Sequence, residues 1–248
     1  MPIVSQFMTK KIHPHAYCGD LLISRPSKNY TMHVCLSKFL LAYILPIHSG
    51  DTLKEFNDVK RTPMIYACAI SSGDASAIVD LKMESLQTTG SFKIRGMRYK
   101  LHTSDISTLR SAGVVTLSAG NAGKAISYLA QSAGVHAKVF MPSTAPADRK
   151  QLMESLGATV VQVPGGELLS AVSACIQTEG RVLVHPFDDV DIIRGHASCG
   201  LEILEDAPDA VSTRTVAASG AHIFGALTGR HRSGMRRGRT VIWRRSSC

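Results

Sequence analysis

The chain has 248 residues, 44% of them hydrophobic and 19% charged, a balance that excludes a wholly disordered polymer and allows one large domain or two small ones. Its formal charge of +9 is not spread evenly: from Gly229 onward there are seven arginines and no acid, so the body is nearly neutral and the basicity belongs to its tail. No apolar run reaches the roughly 20 residues of a membrane-spanning helix, and no membrane partner is expected. Six cysteines without a C-x-x-C pair fit neither a zinc module nor a dense disulfide framework. Reduced thiols and a cytoplasmic location are the plain expectation, and no metal ligands are assigned.

Residues 1–48 differ in kind from the rest of the chain. They are basic and poor in acids, as targeting leaders are, and end in a short apolar stretch too late for an ordinary signal peptide; an unstructured extension is the competing reading. Residues 51–56 read as a short helix that Arg61-Thr62-Pro63 breaks, because the residue before a proline avoids the helical region. Residues 77–83 read as a buried strand. Strand and helix then alternate. Residues 114–118 form a strand, and 121–132 a helix with Ala125, Ile126, Leu129 and Ala130 on one stripe. Residues 137–141 are a strand closed by Pro142, and 146–156 a helix with proline in its first turn and Gly157 past its end. Residues 159–163 (strand), 167–177 (helix), 181–184 (strand) and 191–205 (helix) come next, with 216–218 as a last strand. Strands separated by helices of this length imply parallel pairing with right-handed crossovers. The fold class is α/β. Past Leu227 apolar periodicity stops, and residues 228–248 are expected to be a disordered basic tail.

Two segments carry chemistry. In Lys82-Met-Glu-Ser-Leu-Gln-Thr-Thr-Gly-Ser-Phe-Lys93 a strand passes through the turn Thr88-Thr-Gly-Ser and enters a helix near Phe92. Lys93 therefore sits in the first helical turn, at the carboxyl edge of a parallel sheet, where open α/β sheets bind ligands. The positive end of the helix dipole disfavours its cationic form, and a neutral amine is what Schiff-base chemistry requires. A surface lysine is the bland alternative. In Leu117-Ser-Ala-Gly-Asn-Ala-Gly-Lys-Ala125 small residues at a helix start let the backbone approach an anion such as a carboxylate. A P-loop reading fails, since Ser118 and Ala125 occupy its glycine and Ser/Thr positions. An ordinary turn with an Asn N-cap stays open.

Taken together, the two segments closely resemble the fold-type-II pyridoxal-phosphate enzymes, in particular the serine/threonine dehydratase branch. Arg61-Thr-Pro, Met141-Pro-Ser-Thr-Ala-Pro, His185-Pro-Phe-Asp-Asp and Gly195-His-Ala-Ser lie in matching order, and the resemblance runs from about Thr52 to Ser219. It implies two open parallel-sheet domains, with residues 49–112 and 187–227 in a larger, incomplete one and 113–186 in a smaller one. It implies pyridoxal 5′-phosphate as cofactor and a small hydroxy amino acid, L-serine or L-threonine, as substrate; a homodimer is compatible with it, but the sequence does not specify the oligomeric state. Lys93 would hold the cofactor and act as base at the substrate Cα. Phe92 would pack on the pyridine ring, and Asn121 would bond its 3′ oxygen. Ser118, Ala119, Asn121 and Ala122 would cradle the substrate carboxylate. Alanine at 119 has no proton to give the second face of a carbanion, so elimination is expected over racemisation.

The resemblance breaks after residue 218. The family's phosphate-binding glycine run reads Ser219-Gly-Ala-His here, so Gly220 alone survives, and glycine-only conformations cost other residues on the order of 1–3 kcal/mol each. The ending reads as a truncation, with an Arg-rich tail resembling out-of-frame translation, and weak cofactor binding by a catalytically impaired chain is the second expectation. Polyanion binding through the tail is a third, although a nucleic-acid partner is not favoured: only Trp243 is interleaved among the arginines.

Overall fold

A computed structural model describes residues 55–72, 75–207, 210–216 and 237–244, together with two strand segments nearer the N-terminus. These residues fall into two compact units, one drawn from Met1–Leu86 and His196–Ser247, the other from Gln87–Gly195.

The second unit contains α1 (Lys93–Thr103), α2 (Ile106–Ala112), β5 (Val114–Leu117), α3 (Asn121–Ala133), β6 (Ala137–Pro142), α4 (Ala147–Ser155), β7 (Thr159–Val163), α5 (Leu168–Glu179) and β8 (Val182–Leu183). Its sheet has the order β7-β6-β5-β8 and is parallel throughout. Val114, Val115 and Thr116 are all buried, the continuous run expected of a strand covered on both faces. On one side Val115 and Phe140 pack with Val172 and Cys175 of α5. Elsewhere the predicted stripe of α3 is buried, and α3 packs against α1, which buries Ile94, Met97 and Leu101 at helical spacing. The chain steps outward from β5 to β6 and β7, then α5 carries it back to the far side of β5. This reversal makes a topological switch point at the carboxyl ends of β5 and β8.

Helix α6 (Val190–Asp206) begins in this unit and crosses it closely. A Cβ placed on Gly195 would stand 2.5 Å from the Arg95 carbonyl oxygen and 2.6 Å from Tyr99 Cβ. Backbone cannot yield as a flexible side chain would. Gly195→Ala is expected to cost roughly 1–3 kcal/mol by overpacking, read as a lower denaturant midpoint; an unchanged midpoint would contradict the contact.

In the first unit β3 (Met64–Ser72) and β4 (Ala75–Lys82) pair antiparallel, with Met64 opposite Lys82 and Ser72 opposite Ala75. The intervening Gly73-Asp74 is a sequence of the kind favoured in two-residue hairpin connections. The sheet continues through β9 (Ala210–Val216) and β10 (Arg237–Arg244) in the order β3-β4-β10-β9, with β10 parallel to both neighbours. At the base of β4, Lys82 Nζ donates to the Thr62 carbonyl at 2.7 Å and ion-pairs Glu202 at 2.8 Å and Asp206 at 3.3 Å. Arg61 bridges Glu205 and Asp206, and Thr62 Oγ1 donates to Glu84 at 2.5 Å.

Several expectations need correction. The sequence does not mark residues 64–72 as a strand, and β3 adds an antiparallel pair to a fold that reads as purely parallel. The tail reads as disordered, yet 237–244 forms a central strand: Thr240-Val-Ile-Trp is β-branched and apolar, and partners on both sides satisfy its backbone. The last strand before it lies at Ala210–Val216 rather than 216–218. Within the N-terminal extension, β1 (Leu21–Ser24) and β2 (Thr31–Val34) form an antiparallel pair. The predicted helix at 51–56 and Gly220 with its flanking residues lie outside the described residues, except that Glu55 and Phe56 are non-helical.

Candidate active site

Lys93 opens α1 directly after a turn in which Gly90 takes a φ of 74°, a left-handed conformation that suits glycine, and its amide donates to the Gln87 carbonyl at 2.7 Å. The lysine side chain turns inward. Lys93 is only 9% exposed, and its Nζ donates to the Pro186 carbonyl at 2.8 Å while lying 5.0 Å from the Phe92 ring centroid. Pro186 comes just after β8, so the Nζ end of Lys93 lies at the switch point. Phe92 is itself buried.

The Ser118–Ala122 segment follows β5, the sheet neighbour of β8. Ser118 is anchored by its amide to the Phe140 carbonyl at 2.9 Å, and its Oγ accepts the Gly120 amide at 3.1 Å. Gly120 is the N-cap of α3, no side chain caps that helix, and a Cβ on Gly120 would meet nothing within 4 Å. Asn121 is therefore the first helical residue and not the cap. Ala122 is buried, whereas Ser118, Ala119 and Asn121 are half-buried. The lysine turn and this segment approach each other: a Cβ on Gly90 would stand 3.8 Å from Lys124 Nζ in the first turn of α3.

Two features escape sequence reading. Thr89 Oγ1 and Ser91 Oγ, flanking Gly90 and 2% and 3% exposed as residues, are buried hydroxyls without a hydrogen-bond partner among the described residues. Such atoms are costly unless a bound group satisfies them. The segment after β8 is also built as a brace. His185 Nδ1 accepts the Asp188 amide at 2.9 Å, Asp189 Oδ1 accepts the Asp191 amide at 2.8 Å at the start of α6, and Lys100 Nζ ion-pairs Asp189 at 2.9 Å and Asp191 at 3.2 Å. Asp189 thus fills a capping role and takes a cation as well. Burial works against the Lys100 charge, but the two carboxylates outweigh it and hold its pKa above the ordinary lysine value. Among the described residues no group of three or more His, Cys, Asp or Glu is placed to hold a metal, and no helix is long and apolar enough to cross a membrane.

A family profile for pyridoxal-phosphate dependent enzymes matches residues 56–243, more than half of the chain. The chain belongs to the pyridoxal-phosphate dependent enzyme family. The match runs past Ser219, where the sequence resemblance breaks, and takes in β10. L-threonine ammonia-lyase of Thermotoga maritima is 41% identical over 162 residues, covering 64% of this chain and 39% of that protein. Among solved structures, a T.th. threonine deaminase aligns with a TM-score of 0.62 at 28% identity, over 76% of this chain and 60% of that one. Serine racemase from Dictyostelium discoideum aligns with a TM-score of 0.61 at 29% identity, over 79% and 61%. The chain spans less than half the length of the curated relatives it matches. Within one unit, a buried amine at a switch point, two buried hydroxyls without a partner among the described residues and an uncapped helix start are donors that fit a cofactor carrying an aldehyde and an anionic group.

Two imidazoles make this unit sensitive to acid. His185 is held below the ordinary histidine value by burial and by Lys93, against the pull of Asp188 and Asp189. His136 is lowered by burial, then by Arg181 and Lys138; its Nδ1 accepts from Arg181 at 2.9 Å. Folding thus disfavours the charged form of both rings. The stability they contribute is present above the unfolded imidazole value of about 6.5 and is lost as the pH falls through their folded values. Urea midpoints should therefore drop between pH 7.5 and 5, and the paired change His136→Gln with His185→Gln should flatten that drop. Equal slopes in both proteins would refute it.

Proposed function

We propose that this chain is a pyridoxal-phosphate dependent ammonia-lyase acting on L-threonine and L-serine, with Lys93 as its catalytic residue. The observation that carries this reading is the buried Lys93 amine hydrogen-bonded to the Pro186 carbonyl just past β8, the sheet neighbour of the strand β5 that leads into Ser118–Ala122. The names of the relatives point to threonine as substrate.

Bound pyridoxal phosphate supplies an electron sink for the negative charge that develops at the substrate Cα. Lys93 Nζ would hold the cofactor aldehyde, and its free amine would take the substrate Cα proton. The Phe92 side chain would supply an apolar floor, and Asn121 would offer its side-chain amide to the ring oxygen. Backbone N–H groups of Ala119, Asn121 and Ala122 would bind the substrate carboxylate, helped by the uncapped positive end of α3, while Ser118, whose amide is committed to the Phe140 carbonyl, would offer its hydroxyl. Gly220 is assigned to the cofactor phosphate by the family motif. The net reaction would remove H from Cα and OH from Cβ as water to give an enamine, which takes up one water to yield a 2-oxo acid and ammonia. Ala119 offers no proton to the opposite face, so D-serine is not a product.

The test is borohydride reduction of the purified chain with pyridoxal phosphate, then peptide mass spectrometry and assay of 2-oxo acid from threonine. A stoichiometric adduct on Lys93 with 2-oxo acid formation is expected; an adduct on another lysine would sink the assignment. A second reading, a catalytically silent relative, is favoured by Ser219-Gly-Ala-His in place of a glycine run. It predicts no adduct at all. D-serine formed from L-serine would refute the role given to Ala119.

A further inference from the structure

Lys93 and Lys100 stand seven residues apart on α1, two helical turns, and so share one face of the helix. Both reach the same short segment. Lys93 Nζ takes the Pro186 carbonyl at 2.8 Å, and Lys100 Nζ takes Asp189 at 2.9 Å and Asp191 at 3.2 Å. The segment between those attachment points is closed on itself by the Asp188 amide donating to His185 Nδ1, and is tied to α6 by Asp189 Oδ1, which accepts the Asp191 and Ile192 amides. Arg194 shares Asp191 through its other oxygen at 3.4 Å. A carbonyl that orients a buried amine is useful only if it is itself held still, and β8 alone, two residues long, gives it little anchorage.

We propose that Lys100 is a positioning residue for Lys93: by clamping Asp189 and Asp191 it fixes the 185–191 segment along α1 and so the Pro186 carbonyl that receives the Lys93 amine. The proposal rests on the reading of Lys93 as the cofactor lysine for its purpose, but its geometry is testable without the cofactor. Lys100 touches no reacting atom in this scheme. Its contribution is a fixed orientation, and small misplacements of a reacting group cost as much as about 100-fold in rate.

Reductive methylation with formaldehyde, read by peptide mass spectrometry, reports how accessible the Lys93 amine is. Lys100→Met and Asp189→Asn should both speed methylation of Lys93 by about fivefold relative to exposed Lys60. Their charge changes are opposite in sign, so a through-space electrostatic effect would move Lys93 in opposite directions, whereas loss of a clamp moves it the same way. Lys100→Arg should restore protection. Lys138→Met, which breaks the ion pair with Glu179 in the same unit, controls for general loosening and should leave Lys93 protected. Opposite responses, no response, or an equal response in Lys138→Met would overturn the clamp. Borohydride trapping of pyridoxal phosphate at Lys93 should fall about tenfold in Lys100→Met and recover in Lys100→Arg. If the unaltered chain traps none, the proposed function fails while the methylation comparison still decides the clamp.

Discussion

Replacing Lys93 by alanine should abolish both the borohydride-trapped adduct and threonine deamination, with a loss of about 10³-fold or more in rate. Two effects accompany that change and must be told apart. One is structural: the buried Pro186 carbonyl loses its donor, which costs about 1–3 kcal/mol when nothing replaces it. The other is chemical, the loss of the only atom in the scheme that can attach the aldehyde and take the Cα proton. Lys93→Arg separates them. A guanidinium can still donate to the Pro186 carbonyl, but it stays protonated at any physiological pH and cannot serve as the nucleophile. The arginine variant should regain thermal stability over the alanine variant and remain as inactive. Turnover in Lys93→Arg above about one per cent of the unaltered chain would disprove the assignment.

Lys82→Met should produce the largest loss of stability, about 3 kcal/mol, or roughly 6–12 °C in thermal midpoint. The Lys82 side chain is fully buried, and its one ammonium serves the Thr62 carbonyl, Glu202 and Asp206 together. Methionine fills nearly the same volume, so the cost comes from the acids that lose a buried cation and not from a cavity. Asp206 retains Arg61, whereas Glu202 lies closer to the Lys82 ammonium than Asp206 does, so most of the penalty should trace to Glu202. Adding Glu202→Gln to Lys82→Met should therefore recover about 1 kcal/mol or more, a coupling that a double-mutant cycle measures. Strictly additive losses would show that the ion pair is not the source.

What could be read from the sequence was what local periodicity and backbone chemistry encode. The strands at Val114, Ala137 and Thr159 and the α3 stripe of Ala125, Ile126, Leu129 and Ala130 each occupy a few consecutive residues, and burial tracks the expected spacing. Lys93 and the Ser118 segment could be placed at a sheet edge because a strand, a turn of small residues and a helix start succeed one another there. The acceptor of Lys93 could not be read, because it is a main-chain carbonyl and every residue carries one. Lys100 with Asp189, and Lys82 with Glu202, were hidden for another reason: each pair is about a hundred residues apart in sequence and looks like ordinary surface charge until folding brings it together. Strand β10 was masked by its arginines. Only pairing with β4 and β9, both distant in sequence, reveals the short β-branched run between them as central.

The placement of β10 sets an order on how the molecule is made. Strand β4 leaves the ribosome early, yet its parallel neighbour is synthesised only after the whole of Gln87–Gly195 has emerged. The unit holding Lys93 is contiguous and can settle while translation continues. The other must wait with an open edge until its interior strand arrives, so an arrest in elongation between residues 216 and 237 would leave β4 exposed to pairing with a neighbouring nascent chain.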